Sequence, residues 1–424
     1  MSGNKSSSIY NNQYRYRLCR YLLTGVLIRV IFMPFIYMEG LLYTYRRSAF
    51  LLFKPGTFLD IEQLIIESFQ SAYLFIIDKI FPYFESIKII LLNEEPYTSW
   101  YYFSNNEYVF RTLFIFKSLY LIFDIIAAFI ITRFYKNRDN KARVFKYWML
   151  SPLIIFTVYM IGRLDIIPVA FLILAFYLAK SGRRDLSYFI FILAAFMRFF
   201  PLLILPFFIG YISRKKRDYF AYGGISISIF AIIELSYRFV FSKSLFMEII
   251  SSYHFELLFI RPIGLFPYDK IIIFPLLYVT ALVFYFRSKD KDLTLFIKYG
   301  AIVYLLFFAT SVFYPQYFLW VFPFLLFLLI QDKKLTILHI IQFIFFLLLI
   351  PFWWKWPYSN KLFAAIDFEF FDRFPNLDEM VQISYPAPLF ENIFRIVFVL
   401  ITLSMVYLIM QSIIKKKSLE DETY

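Results

Sequence analysis

Two short stretches place charge where long apolar helices would carry none. In Ser151-Pro-Leu-Ile-Ile-Phe-Thr-Val-Tyr-Met-Ile-Gly-Arg-Leu-Asp-Ile-Ile-Pro168, the residues Arg163 and Asp165 separate two apolar runs. Farther on, Met197-Arg198-Phe199-Phe200-Pro201 breaks another pair of runs. Charge between hydrocarbon-length helices is expensive and usually marks a site. Interrupted helices of this kind line a polar cavity at one membrane face. The residue types suggest its chemistry. A guanidinium offers a planar donor fork that matches a phosphate, and a carboxylate can take a proton from a hydroxyl group. Each has a plainer reading. Arg198 would serve equally as an interfacial anchor whose stem snorkels to the headgroups, and Asp165 as a turn residue beside Arg163.

The composition fits such a setting. The 424-residue chain is 61% hydrophobic and holds 58 Phe and 35 Tyr, which places it among polytopic membrane proteins. Its net charge of +14 does not indicate nucleic acid, because the basic residues sit in short clusters between apolar runs. The single Cys19 excludes an intrachain disulfide and a cysteine metal centre, and two histidines are too few for a histidine-rich one. The first apolar stretch follows Arg15, Arg17 and Arg20 without a small-residue cleavage site, so it reads as a retained helix.

Apolar runs fall at 21–38, 110–133, 147–162, 166–180, 187–198, 201–212, 219–242, 271–287, 294–313, 316–330, 336–353 and 392–413. An all-α bundle of about twelve transmembrane helices follows, some shorter than the roughly 20 residues of a perpendicular span. If all twelve cross, the basic clusters at Arg133–Lys146, Arg183–Arg184, Arg214–Arg217, Arg287–Lys291, Lys333–Lys334 and Lys415–Lys417 share one side with the N-terminus. The positive-inside rule makes that side the cytoplasm. Treating 187–212 as one kinked span would put every later basic loop outside, so Arg198-Phe-Phe-Pro201 is read as an outward turn. Pro201 supports this by removing a backbone donor and disfavouring helix before it.

The expected organisation is one integral domain over 1–414 and a cytoplasmic tail over 415–424. Long external segments cover 39–109, 243–270 and 354–391, and three tight turns hold Arg163 with Asp165, Arg198, and Tyr314-Pro-Gln316-Tyr317. The first external segment alternates apolar residues near helical spacing with Asp60, Glu62, Glu67, Asp78 and Glu85, and reads as one or two interfacial helices. Ser418–Tyr424 reads as a disordered acidic tail. At 1.5 Å per residue, Arg29 and Asp124 both lie roughly 14 Å from the cytoplasmic ends of their helices, so they are expected to form a structural intramembrane pair. Lys117, on the same stripe as Asp124, could reach the cavity or a lipid phosphate. Trp353, Trp354 and Trp356 read as an interfacial belt, or as a platform for a sugar ring or prenyl chain.

Four segments in order resemble the GT-C superfamily of integral membrane glycosyltransferases, in particular the polyprenol-phosphate-sugar-dependent mannosyltransferases of bacteria and archaea. They are Ile28-Arg29 through Pro34-Phe35, Glu39 and Tyr45-Arg46-Arg47; Phe116-Lys117 through Asp124; Ser151-Pro152 through Arg163, Asp165 and Pro168 to Arg198 and Pro201; and Tyr314-Pro315-Gln316-Tyr317 with Trp320 and Pro323. The resemblance implies transfer of a sugar from a polyprenyl-phosphate donor to a glycan or glycolipid acceptor at the outer face, with inversion. It implies a general base just after the first helix. That residue is normally Asp in the family; this chain offers Glu39, with Asp60 as the fallback and Asp165 as a further catalytic carboxylate. Donor-phosphate or substrate contacts fall to Arg46, Arg163, Arg198, His254, Arg261 and Gln316. The plainer readings are a structural histidine for His254 and a turn cap for Gln316.

There is no glycine-rich phosphate loop and no strand–helix alternation, which points to a lipid-linked donor rather than a soluble nucleotide sugar. The outer side has no Asp-x-Asp triplet, so no metal is assigned, although a divalent cation is compatible with the carboxylates. Two other classes fit the composition: a secondary transporter or lipid flippase, and a non-catalytic subunit of a glycan-assembly complex. The two halves show no matching repeat, and the charged turns gather at one face, which favours the enzyme over the transporter. The Lys-, Ile- and Tyr-rich composition suggests the cell membrane of a prokaryote with an AT-rich genome.

Overall fold

In the computed structural model, the described residues are 3–53, 64–81, 96–251, 262–264, 270–311, 313–353, 360–375, 380 and 387–421. Asp60, His254, Arg261, Trp354 and Trp356 lie outside them. The first part of the chain folds as α1 (Gly3–Phe32), α2 (Glu39–Phe53), α3 (Leu64–Ile80), α4 (Pro96–Ser104), α5 (Val109–Thr132) and α6 (Arg138–Met149). A short helix α7 (Pro152–Ile154) widens into a π-helix (Ile155–Met160), followed by α8 (Ile166–Lys180) and α9 (Arg184–Met197). A 3-10 turn (Phe200–Ile204) leads into α10 (Leu205–Ile212), then α11 (Lys216–Phe241) and α12 (Leu245–Ile250). The remainder comprises α13 (Ile273–Arg287), α14 (Leu293–Thr310), a 3-10 turn (Pro315–Val321) running into α15 (Phe322–Leu329), α16 (Lys333–Trp353), α17 (Phe368–Asp372) and α18 (Ala387–Asp421).

Each of the twelve apolar runs falls largely on helix. Five helices are long and apolar enough to cross a membrane: Val109–Thr132, Lys216–Phe239, Leu293–Thr310, Lys333–Phe352 and Leu389–Lys415. They divide by environment. Leu293–Thr310 is 72% buried inside the protein and forms its centre, whereas Lys216–Phe239 is only 6% buried and presents Phe239, Leu235 and Ile227 outward. An apolar helix exposed on most of its surface is what a hydrocarbon solvent permits.

Several boundaries differ from those expected. The helix of the first run begins at Gly3 and stops at Phe32, where Pro34 ends it, so Glu39 does not cap the first helix but opens α2. α2 is not a surface helix: Leu41, Leu42, Tyr45 and Ala49 are buried, and Tyr45 stacks on Phe116 of α5 at 3.8 Å. α3 keeps an apolar outer edge at Phe75, Ile76 and Ile80. The segment 243–270 contains helix α12 and joins a short antiparallel ribbon, Pro262–Gly264 against Lys270–Ile272, a small addition to an otherwise helical fold. The expected tail disorder is corrected through Asp421, because α18 continues that far.

The deepest polar feature is a carboxylate held from three directions. Arg29 Nε lies 2.6 Å from Asp124 Oδ2, with both side chains fully buried. Tyr159 of the π-helix donates to the same oxygen at 2.7 Å, and Trp148 Nε1 donates to Oδ1 at 2.6 Å. The guanidinium also reaches the carbonyls of Gly25 and Met149 and lies over the Tyr159 ring. Gly25 is required here, because a Cβ would fall 2.7 Å from the Met149 carbonyl oxygen. A buried ion pair with its remaining valences filled persists in apolar surroundings, but removing one partner strands the other. Asp124→Leu is therefore expected to destabilise by about 3–5 kcal/mol, and Arg29→Met combined with Asp124→Leu by less than Asp124→Leu alone. Unfolding of detergent-solubilised protein measures both; a double variant as damaged as the sum of the singles would show that the two charges do not act as a pair.

Candidate functional site

Backbone bonds bring the helix breaks to one end of the bundle. Met38 N donates to Ile161 O at 3.2 Å and Tyr37 N to Leu362 O at 3.0 Å, so the connection before α2 lies against both the π-helix exit and the turn Asn360–Phe363. The π-helix ends in a wide turn in which Arg163 N bonds Thr157 O at 3.2 Å, and Gly162 there takes φ +82°. That left-handed conformation suits glycine. It throws the next residues, Arg163 and Asp165, out of the helical register. Wide turns inside helices often accompany functional sites, and no periodicity in the sequence announces this one.

Asp165 is fully buried. Its Oδ1 accepts from Trp320 Nε1 at 3.0 Å and lies 3.7 Å from Arg198 Nε. The expectation that neighbouring Arg163 pairs with Asp165 is corrected: the partners come from two other breaks in the chain. Arg198 is extended, at the end of α9, and Trp320 belongs to the 3-10 turn that also buries Gln316. Trp320 is fixed between aromatic neighbours, stacked on Phe200 at 4.4 Å and on Tyr317 at 4.0 Å. These stacks hold the indole N–H at the carboxylate.

Arg163 turns toward α2. A Cβ at Gly40 would fall 2.4 Å from Arg163 Nη1, so the guanidinium lies against the backbone directly after Glu39. Glu39 is half-buried at the start of α2, where the helix dipole favours an anion. Burial raises its carboxyl above the ordinary glutamate value, and the cation of Lys361 opposes that rise. Arg46 lies two turns along α2 on the same stripe. Lys117 does not face the site openly. It is fully buried, and its ammonium donates to the carbonyls of Ile36 and of Tyr159, the latter at 2.8 Å. It thus ties the connection before Glu39 to the π-helix before Arg163.

The cluster is unbalanced in hydrogen bonding. Arg163 Nε, Arg198 Nε and Arg198 Nη2 are buried without a hydrogen-bond partner among the described residues, as is Asp165 Oδ2. The spare donors of the two guanidinium groups can receive an anion, and Asp165 Oδ2 offers one acceptor oxygen to a hydroxyl group. Among the described residues no three His, Cys, Asp or Glu side chains gather as a metal ion would need. Comparison with protein-family models, with curated proteins and with solved structures finds no match for this chain. Trp320 and the π-turn are the contributors that charge patterning alone missed; the first stands only within the Pro-Gln-Tyr segment of the resemblance, without a role.

Trp320→Phe keeps the stacking surface but leaves the buried Asp165 oxygen without its donor. A loss of about 1.5–3 kcal/mol is expected, the range for a hydrogen bond to a charged group. Unfolding in detergent tests it; a change below half a kcal/mol would mean that Arg198 alone satisfies the carboxylate.

Proposed function

We propose that this chain is an inverting membrane glycosyltransferase that moves a sugar, mannose in the first instance, from a polyprenyl-phosphate donor to a glycan or glycolipid acceptor. The observation that carries this reading is the set of spare guanidinium donors of Arg163, beside the half-buried Glu39, and of Arg198, beside Asp165, at one end of an apolar bundle. In this reading Arg163 and Arg198 hold the donor phosphate, and Asp165 keeps Arg198 oriented while offering Oδ2 to a substrate hydroxyl. Glu39 takes the proton from the acceptor hydroxyl, whose oxygen attacks the anomeric carbon. The bond from that carbon to the phosphate oxygen breaks, and polyprenyl phosphate departs with the electron pair, its charge met by the arginines. Attack from the face opposite the leaving group inverts the configuration. The mid-bundle charges Arg29 and Asp124 are paired with each other, which supports an enzyme over a transporter with a charged midplane site. Asp60 remains the fallback base, outside the described residues.

The assay is transfer of radiolabelled sugar from polyprenyl-phosphate mannose in membranes. Glu39→Gln is expected to lower transfer by about 10²–10⁴-fold, the contribution of a general base, with donor binding retained. Loss on Asp60→Asn with Glu39→Gln active would move the base to the fallback. Failure of wild type with several donor lipids and acceptors would overturn the enzyme reading.

The proposed topology has twelve crossings with both termini in the cytoplasm of a prokaryotic cell and the site on the outer face. With Cys19→Ser as background, a membrane-impermeant maleimide is expected to label Glu107→Cys in intact cells and Lys289→Cys only after permeabilisation, since both positions are exposed. Labelling of both in intact cells would reject this arrangement.

A further inference from the structure

We infer that Lys361, carried in by the third external segment, is the positioning cation for Glu39, and that Asp372 competes with Glu39 for it. The inference rests on the reading of Glu39 as base. Its ground is the way residues 360–372 fold back on the first external segment. Leu362 O accepts from Tyr37 N two residues before Glu39, so the turn Asn360–Phe363 is bonded to the backbone that leads into α2. Lys361 is 5% exposed, and its ammonium lies 5.6 Å from the centre of the Trp100 ring on α4. Trp100 in turn packs edge-on against Phe368 of α17 at 5.5 Å. This packing keeps the lysine buried. Among the described residues it makes a direct ion pair with Asp372 at the end of α17, which is itself partly exposed.

Other groups face Glu39 as well. Arg163 lies against Gly40, the Tyr37 hydroxyl is bonded to Ser104, and Tyr43 and Arg46 follow along α2. Among these, Lys361 is the cation whose field lowers the proton affinity that burial raises at Glu39. Arg163 lies against the Gly40 backbone and faces the anion it would receive, which neutralises it once the donor is bound. Lys361 then still supplies a cationic field that favours the ionised base. The sign follows directly. Removing the lysine charge favours the protonated carboxyl, so ionisation moves to higher pH. Removing the Asp372 charge leaves more of the lysine field for Glu39, so ionisation moves to lower pH.

The test is a carboxylate titration by infrared difference spectroscopy on the purified full-length protein in detergent, with the Glu39 band assigned by its loss in Glu39→Gln. Lys361→Met is expected to raise the Glu39 midpoint by at least one pH unit, Asp372→Asn to lower it, and Lys361→Arg to leave it near wild type. An unmoved midpoint in Lys361→Met overturns the inference. If that variant does not fold, an unmoved or raised midpoint in Asp372→Asn, altered at a partly exposed position, overturns it instead. The acid limb of the transfer rate should follow the same shifts. Midpoints that shift as expected in a protein without transferase activity would sink the enzyme reading and leave the Lys361–Glu39 interaction standing.

Discussion

Backbone groups and charges in apolar surroundings must find partners within the protein, and here one carboxylate organises the response. Asp124 collects Arg29 from α1, Trp148 from α6 and Tyr159 from the π-helix. Apolar contacts alone would leave the register between these elements weakly set. The charged contact fixes one, because any displacement of α1 or of the π-helix strands a charge or a buried hydroxyl. The Gly25 contact with Met149 shows how closely the backbones approach to make it.

Tyr159 links this interior anchor to the candidate site. Its hydroxyl binds Asp124, while its carbonyl accepts from Lys117, whose ammonium also holds the Ile36 carbonyl. The wide π-turn leaves main-chain acceptors that an α-helix would have used internally, and a buried ammonium answers them. From that point Gly162 turns the chain, and Arg163 and Asp165 leave in different directions. One guanidinium reaches α2, and the carboxylate faces Trp320 and Arg198. The site is therefore assembled from breaks in four helical segments, tied to one another by contacts between them.

Much of this was legible in the residues. Runs of apolar side chains marked the helices, and the proline at Pro201 marked the break after Arg198, because removing a backbone donor is a local effect. The depth of Arg29 and Asp124 could be counted along their helices because helical rise is constant. Less legible were the partners across space. Adjacent in sequence, Arg163 and Asp165 looked like a pair, yet residues two apart in a turn need not face each other, and their contacts come from α2 and from the segments around residues 198 and 320. Lys117 looked like a site cation and instead holds two carbonyl groups.

What the sequence determined by itself is the solvent this chain is made for, the order of its helices and the places where they break. Those properties are sums over neighbouring residues, such as hydropathy, propensity and the missing donor of proline. Tertiary structure alone decided which break meets which. It bonded the turn Asn360–Phe363 to the backbone just before Glu39 across more than three hundred residues of chain, gave Asp165 an indole as partner, and turned α2 inward as a core helix. Such contacts depend on how whole helices pack, and packing responds to the shape of many side chains at once. A local pattern therefore cannot encode them.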